Sequence, residues 1–369
     1  MSIPAVAAVL HDGSEEFVLE SVEIDHPTDD EVLVRIEAAG ICHTDLMARH
    51  MLKRPSVLGH ECAGTVVARG DRVVDVAIGA PVTVSYPSCG GCDACTSSRP
   101  HLCDHHMPLG FGGGRLDGSQ PIRLRGQPIS SAFFQQSSFA AYAVTPARSV
   151  VCGHGDIAPE IRAAAACGVQ TGAGAVMNTF KMGPGESLAV LGAGTVGLAA
   201  VMAASLCGAR PIIAVDREPS RLELAASLGA THGVLAQSGE VTEQLRAISR
   251  GGLDYTLETT TADTMLEVGI AALRPGGECG MVSAPHFGEK YPFSPTEIFK
   301  RAVSVRGIIQ GSALPRLFLP RLFELYRAGR FPLDALVRTY PFDEINQAVR
   351  DIGAGRTVKA ILALPTAGA

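Results

Sequence analysis

The sequence predicts an α/β protein in two parts: a β-rich first domain, then a doubly wound parallel sheet. Three observations carry this. From Ala5 to Val84 the chain runs in short β-branched stretches such as EVLVRIEAAG, CAGTVVARG and APVTVS, broken by Gly, Asp and Pro, the pattern of short strands and turns. After Cys167 an apolar run, a glycine turn, an alanine-rich helical stretch and a second apolar run follow in order, which is a βαβ unit. Further strands at LDYTLE, ECGMVS and SVRGI continue the alternation, so about six parallel strands are expected, with a ligand across their carboxyl ends.

The remaining elements fall in line. Residues 104 to 138 are rich in Gly, Ser and Gln (GFGGGRLDGSQ, then SSAFFQQSSF) and read as a long loop region whose aromatic residues could face a pocket. Strand character returns at AAYAVTP. In the second domain Ser187–Leu191 is the first strand and PIIAV, ending in Asp216, the second. Pro219 to Leu228 fits a helix with Leu222, Ala225 and Ala226 on one face, and Gly229 stands where a C-terminal cap belongs. From about Gln310 the chain supplies a helix at Pro315–Ala328 and a final strand-like VKAILAL.

The 369 residues suggest two domains, and 46% apolar composition supplies two cores. A net charge of −6 without a basic run argues against nucleic acid or an anionic membrane as partner and leaves a small molecule. The first residues lack a positive leader, are broken by Pro4 and meet Glu15 and Glu16, so they read as a strand. The longest apolar candidate, Val196 to Leu206, is shorter than the roughly 18 residues a spanning helix needs. A soluble, cytoplasmic protein is expected.

Four of the ten cysteines, Cys89, Cys92, Cys95 and Cys103, form C-x2-C-x2-C-x7-C. Zinc takes four thiolates in a tetrahedron, and Gly90, Gly91 and Pro100 let one short segment wrap the ion. The competing reading is a pair of disulfides, which needs an oxidising compartment. A four-thiolate site has no open position, so it holds structure and the chemistry belongs elsewhere. Cys62, Cys152, Cys207 and Cys279 match no ligand pattern and are read as small buried hydrophobes.

Gly192, Gly194 and Gly197 form G-x-G-x-x-G between a predicted strand and a predicted helix. There the glycines admit a pyrophosphate onto the helix N-terminus, where free N–H groups favour anions; a merely tight turn is the plainer reading. Asp216 ends the next strand, placed to accept hydrogen bonds from adenosine ribose hydroxyls and to repel a 2′-phosphate. NAD is therefore expected over NADP, with Arg217 beside it as the counter-argument.

Cys42 in GICHTD, His60 in GHE and Cys167 in AACGVQTG offer two thiolates and one imidazole, a ligand set that leaves zinc one open position. His43, His50, His105 and His106 are competing imidazoles. With these motifs in order, and the cysteine lobe, glycine loop and aspartate between and after them, the chain resembles the zinc-dependent medium-chain alcohol dehydrogenases over nearly its whole length.

That resemblance implies a GroES-like catalytic domain over 1–168, completed by 310–369, with a Rossmann NAD-binding domain inserted at 169–309. It implies a catalytic zinc on Cys42, His60 and Cys167, beside the structural zinc, hence two ions per chain. Thr44 would offer its hydroxyl to the substrate oxygen and pass its proton toward the cofactor ribose. Asp45 would orient His60 through its other ring nitrogen, and Glu61 would put a carboxylate near the metal. His43 would lie beside the pyrophosphate, Arg221 near the adenosine ribose and Lys359 near the phosphates, with Thr171 also on the cofactor. A homo-oligomer, dimer or tetramer, is expected. One departure stands out: the histidine that ends the proton relay in many members is Met47 here, so the relay ends in water, His43 or His50.

The segment FFQQSSFAAYAV, preceded by MPLGFGGGRLDG, resembles the aryl-alcohol and allylic-alcohol dehydrogenases, those for benzyl alcohol or geraniol among them. A flat conjugated alcohol gains from burial in an apolar pocket, with Ser85 and Tyr86 as candidates for its wall. Phe133, Phe134 and Phe139 are read first as ordinary core. The expected activity is oxidation of a primary aromatic or allylic alcohol to its aldehyde by NAD. The alternatives are a glutathione- or mycothiol-dependent formaldehyde dehydrogenase, and a catalytically silent NAD-binding protein.

Overall fold

The computed structural model describes residues 2–365 except 239, 263 and 284–293. The chain divides into two compact units, one of Met1–Cys167 with Leu314–Ala369, the other of Gly168–Ala313.

The first unit opens with ten strands: β1 (Ser2–Leu10), β2 (Phe17–Asp25), β3 (Glu31–Gly40), β4 (Ser56–Val57), β5 (Cys62–Arg69), β6 (Pro81–Val84), β7 (Ile122–Leu124), β8 (Gln127–Pro128), β9 (Tyr142–Pro146) and β10 (Val150–Cys152). The second unit carries β11 (Leu188–Leu191), β12 (Ile212–Asp216), β13 (His232–Leu235), β14 (Leu253–Glu258), β15 (Leu273–Met281) and β16 (Ser304–Gly307), and the chain returns to the first with β17 (Val337–Pro341) and β18 (Lys359–Ala363).

Five strands form a sheet in the order β4-β1-β2-β7-β8, and seven form another, β10-β6-β5-β3-β18-β17 with β9 on β3. In the larger sheet β3 pairs with β5 along one edge, while its other edge takes β9 at Glu31–Arg35 and β18 at Ala38–Gly40. The returning C-terminal strand thus fills an edge that β9 leaves free, and one apolar core joins Val9, Val34, Phe139 and Leu362. The stretch read from sequence as loop, 104–138, contains the helix His106–Phe111, the β7–β8 hairpin and a short helical turn at Phe133–Gln135. Arg115 ties this stretch down with a hydrogen bond from Nε to Glu31 Oε1 at 2.7 Å.

The second unit is a six-stranded parallel sheet in the order β13-β12-β11-β14-β15-β16. Strand order reverses between β11 and β14, the point where doubly wound sheets bind dinucleotides. Its central strands β11 (LAVL) and β12 (IIAVD) are nearly continuous apolar runs because both faces are covered. Ala189, Leu191, Ile213 and Val215 join Val241 and Leu245 of the helix Val241–Ile248 in one core. On the opposite face Gly197, in the helix Thr195–Leu206, lies so close that an added Cβ would stand 3.0 Å from Val190, as the alternation of side chains along a strand requires.

Candidate functional site

The four lobe cysteines converge so that their sulfurs all lie within 4.8 Å of one another. All ten cysteines are free, and Cys89 Sγ stands 3.9 Å from Cys95 Sγ, too far for a disulfide. The four stand in this structure as free thiols gathered at one point. Backbone N–H groups of Cys89 and His105 donate to Cys103 Sγ at 3.2 and 3.4 Å, and that of Cys92 to Cys89 Sγ at 3.4 Å. Such donors favour thiolates: against the upward push of desolvation, the N–H groups of Gly91 and Cys92 hold Cys89 at about 6, whereas burial outweighs the two donors to Cys103 and pushes it up to about 12. The chemistry and closeness of the donors fit one zinc ion with no open position. Of the cysteines outside any ligand pattern, Cys62 and Cys279 are buried as expected, whereas Cys152 is exposed and Cys207 half-buried; both sit at element ends rather than on inward-facing strand positions.

A second convergence joins three distant segments. Cys42 caps the helix His43–Ala48, His60 and Glu61 lead into β5, and Cys167 follows the helix Pro159–Ala164. One ligand atom from each of Cys42, His60, Glu61 and Cys167 lies within 4.8 Å of the others. The helix starts at Cys42 because Asp45 reaches back: its Oδ2 accepts from Cys42 N at 2.8 Å, the return half of a capping box. Its Oδ1 accepts from Gly59 N at 3.1 Å and lies 2.9 Å from His60 Nδ1. The imidazole therefore presents Nε2 inward, and that buried nitrogen has no hydrogen-bond partner in the protein. An orphaned buried nitrogen aimed among two thiols is what a metal ligand looks like without its ion.

The four groups also act strongly on one another's protons. A hydrogen bond from Cys167 holds the Cys42 thiol well below the ordinary cysteine value, burial opposing and His60 assisting. The same bond, with burial, pushes Cys167 well up. Burial pulls the His60 imidazole down, but the Asp45 carboxylate and the Cys42 sulfur together outweigh it and raise it well above the usual histidine range. Burial also raises Glu61, against the Lys359 ammonium beside it. Thr44 Oγ1 lies 3.7 Å from Cys42 Sγ.

Other predicted positions fall less simply. Lys359, assigned by resemblance to the cofactor phosphates, is buried at 2% exposure, donating to Ile41 O at 3.2 Å and pairing with Glu61. The reason is local: β18 beside β3 carries its side chain under Glu61. His43 is exposed, and His50, also exposed, has Nε2 3.8 Å from Glu15 Oε2. Ser85 and Tyr86 are buried, and the Ser85 hydroxyl donates to Ala166 O at 2.8 Å. Phe133 and Phe139 are core, as read. Phe134 is not: half-buried, its ring lies 4.7 Å from the His60 ring at 31°, with Phe111 and Phe133 edge-on to it at 5.3 and 5.0 Å.

In the second unit the three glycines take three different roles. Gly192 has φ +100, and a Cβ there would meet Thr259 Oγ1 at 2.6 Å; a Cβ on Gly197 would stand 1.8 Å from Gly192 O. Only Gly194, capping the helix Thr195–Leu206, opens onto empty space. This is the division between a tight turn, an open approach for a pyrophosphate and close strand–helix packing. Asp216 seals the loop, accepting from Ala193 N at 2.7 Å and Glu218 N at 2.9 Å. Arg217, the counter-argument for NADP, is 74% exposed and 3.8 Å from Glu218. Burial holds the half-buried Arg221 guanidinium below the usual arginine value, with Asp216 and Glu218 opposing. Thr171 is buried on the helix Gln170–Gly174.

Comparison with known proteins agrees with this geometry. Residues 28–155 match the alcohol dehydrogenase GroES-like domain, and residues 195–325 the zinc-binding dehydrogenase family. The chain is 39% identical over 364 residues to a geraniol dehydrogenase of Castellaniella defragrans, covering 98% of each. The crystal structure of benzyl alcohol dehydrogenase from Acinetobacter calcoaceticus superposes with a TM-score of 0.95 at 38% identity, over 98% of this chain and 100% of that one. An alcohol dehydrogenase zinc-binding domain protein from Burkholderia ambifaria gives 0.96 at 42%, over 99% and 100%. The chain belongs to the zinc-binding alcohol dehydrogenase family, a GroES-like domain joined to a Rossmann domain. Among the described residues no helix is long and apolar enough to cross a membrane.

Sequence reasoning missed Phe134 as a neighbour of His60, and missed Gln136, whose carboxamide donates to His60 O. A signal existed: two glutamines and two serines in a row inside an otherwise apolar stretch mark polar groups with buried work to do.

Proposed function

We propose that this chain oxidises a primary allylic or aromatic alcohol to its aldehyde, reversibly, with hydride transfer to NAD. The observation that carries the site is the orphaned, Asp45-oriented Nε2 of His60 among the Cys42 and Cys167 sulfurs; the two substrate-named relatives, similar over nearly the full chain, supply the substrate class.

Cys42, His60 and Cys167 would hold the catalytic zinc, with Cys89, Cys92, Cys95 and Cys103 on the structural one. Zinc there supplies Lewis acidity toward an alcohol oxygen, and the nicotinamide the hydride acceptor. The protein's own part is positional. Asp45 fixes the His60 tautomer, and the Thr44 hydroxyl receives the proton from the alcohol. Glu61 with Lys359 keeps a compensated carboxylate beside the thiols. Phe134 and Phe111 give the site aromatic neighbours that suit a flat, conjugated substrate. In the second unit Gly192, Gly194 and Gly197 would take the pyrophosphate, and Asp216 with Arg221 the adenosine ribose.

The test is the initial rate of NADH formation with benzyl alcohol, geraniol and ethanol, on protein of measured zinc content. Preference for the first two is expected. Activity only on addition of formaldehyde with glutathione or mycothiol would replace this reading with a thiol-adduct dehydrogenase.

A further inference from the structure

β5 and β6 pair from Cys62 opposite Val84 to Thr65 opposite Pro81, and the ladder ends there. His60, just before Cys62, and Ser85, just after Val84, both lie beyond the Cys62–Val84 end of this ladder, so their buried carbonyls need partners from elsewhere. One side chain serves both: Gln136 Nε2 donates to His60 O at 3.0 Å and to Ser85 O at 3.1 Å. Its Oε1 accepts from Cys62 Sγ at 3.5 Å, and the residue is 2% exposed. The Ser85 hydroxyl then donates to Ala166 O, the residue before Cys167. A buried line of hydrogen bonds through Gln136 and Ser85 therefore connects the backbone that carries His60 to the backbone that carries Cys167.

The turn presenting Gln136 is held in a conformation that L residues rarely adopt. Ala132, Phe134, Gln135 and Ser137 have φ of 58°, 48°, 54° and 47°. Side chains pin it from both sides: Gln135 Nε2 donates to Leu109 O and Gly114 O at 3.2 and 3.0 Å, and Ser137 Oγ donates to Val57 O at 2.6 Å. The same turn lays Phe134 on the His60 ring. His60 is thus fixed at Nδ1 by Asp45, on its face by Phe134 and at its carbonyl by Gln136.

We propose that Gln136, acting through Ser85, is a positioning residue that sets the separation of His60 from Cys167 and so the tightness of the catalytic metal site. This rests on the reading of Cys42, His60 and Cys167 as its ligands. A side chain that only satisfied the ends of two strands would affect stability alone; a positioning residue affects one metal ion and not the other.

The experiment follows zinc release from the full-length holoenzyme to a coloured chelator, with two zinc ions per chain established first. Gln136→Met keeps the length and removes the donors; Ser85→Ala removes one hydroxyl and carries the test if the first variant does not fold. Gln136→Met should release one ion about 10- to 100-fold faster than the parent and the other at the parental rate. Ser85→Ala should change the same ion, and the double variant should fall short of the product of the two effects, because both act in one line. The visible spectrum of the cobalt-substituted site should shift in Gln136→Met. Both ions leaving folded Gln136→Met and Ser85→Ala at parental rates would overturn the proposal while leaving the ligand assignment standing. A parent with one zinc per chain, or a fast-released ion that survives in Cys42→Ser, would overturn the ligand assignment and the proposal together.

Discussion

Asp45 Oδ1 sits 2.9 Å from His60 Nδ1 with both side chains almost wholly buried, and the same carboxylate accepts from the backbone of Cys42 and of Gly59. One side chain thus starts a helix, closes a turn and chooses a tautomer. Asp45→Asn cannot do all three. With its carbonyl oxygen toward His60 and Gly59, its amide nitrogen faces the Cys42 N–H, donor against donor. We expect kcat/KM to fall about 10- to 100-fold together with loss of metal, read by kinetics alongside zinc analysis.

The two cysteine-bearing clusters should separate in their effects. Cys103→Ser should leave the chain with one zinc and a lowered thermal midpoint, because the lobe has little apolar core of its own and its helices are a few residues long. Cys42→Ser should also lose one zinc, but abolish turnover with a smaller change in midpoint, since its surroundings belong to the main core. Equal thermal losses in both would show that the two sites do not divide structure from chemistry.

Asp216 is bonded to the glycine loop as well as placed at its strand end, which makes it a double determinant. Asp216→Ala should raise the KM for NAD and narrow the preference over NADP, and Arg217 is free enough to assist a 2′-phosphate once the carboxylate is gone. Kinetics with both cofactors decide it; equal efficiency with NADP in the parent chain would overturn the assignment.

Much of this was legible in the sequence, and the reason is spacing. Four cysteines within fifteen residues, three glycines between a strand and a helix, and an aspartate at the next strand end are local patterns, and local patterns survive folding. The β3 edge shared by β9 and β18 is not local, since β18 lies more than 300 residues along the chain. The burial of Lys359 beside Glu61 follows from that edge, so the pairing of these two residues could not be read from the sequence. Phe134 escaped for a different reason: its positive φ turns its ring away from the direction that alternation with Phe133 would give.

Asp351 links the helix Ile345–Gly353 to β17. Its carboxylate accepts from Tyr340 Oη at 2.8 Å, Gln347 Nε2 at 2.8 Å and Arg356 Nη2 at 2.6 Å. Bonding to Arg356 first, then to Tyr340, holds it at about 2. A carboxyl depressed in the folded state stabilises above its unfolded pKa of about 4 and loses that contribution as pH falls through the folded value. Asp351→Asn should therefore lower the thermal midpoint at pH 7, with the gap to the parent closing between about pH 4 and pH 2. A gap of constant size across that window would show that packing, not charge, is what the substitution removed.

Lys359 and Glu61 test the buried electrostatics most directly. Both are at or below 2% exposure, so removing one partner strands the other's charge. Lys359→Met should destabilise by about 3 to 5 kcal/mol, measured by denaturant unfolding of zinc-loaded protein at pH 7. Burial already pushes the Glu61 carboxyl up against the Lys359 ammonium; without the ammonium it rises further, and a carboxyl raised in the fold favours the folded state at low pH and costs stability as pH climbs. The deficit of Lys359→Met should therefore shrink from pH 7 toward pH 5. Adding Glu61→Gln should restore most of the lost stability without restoring turnover. If the double variant is as unstable as Lys359→Met, the lysine stem packing against Gly40, rather than the ion pair, is what holds this part of the site.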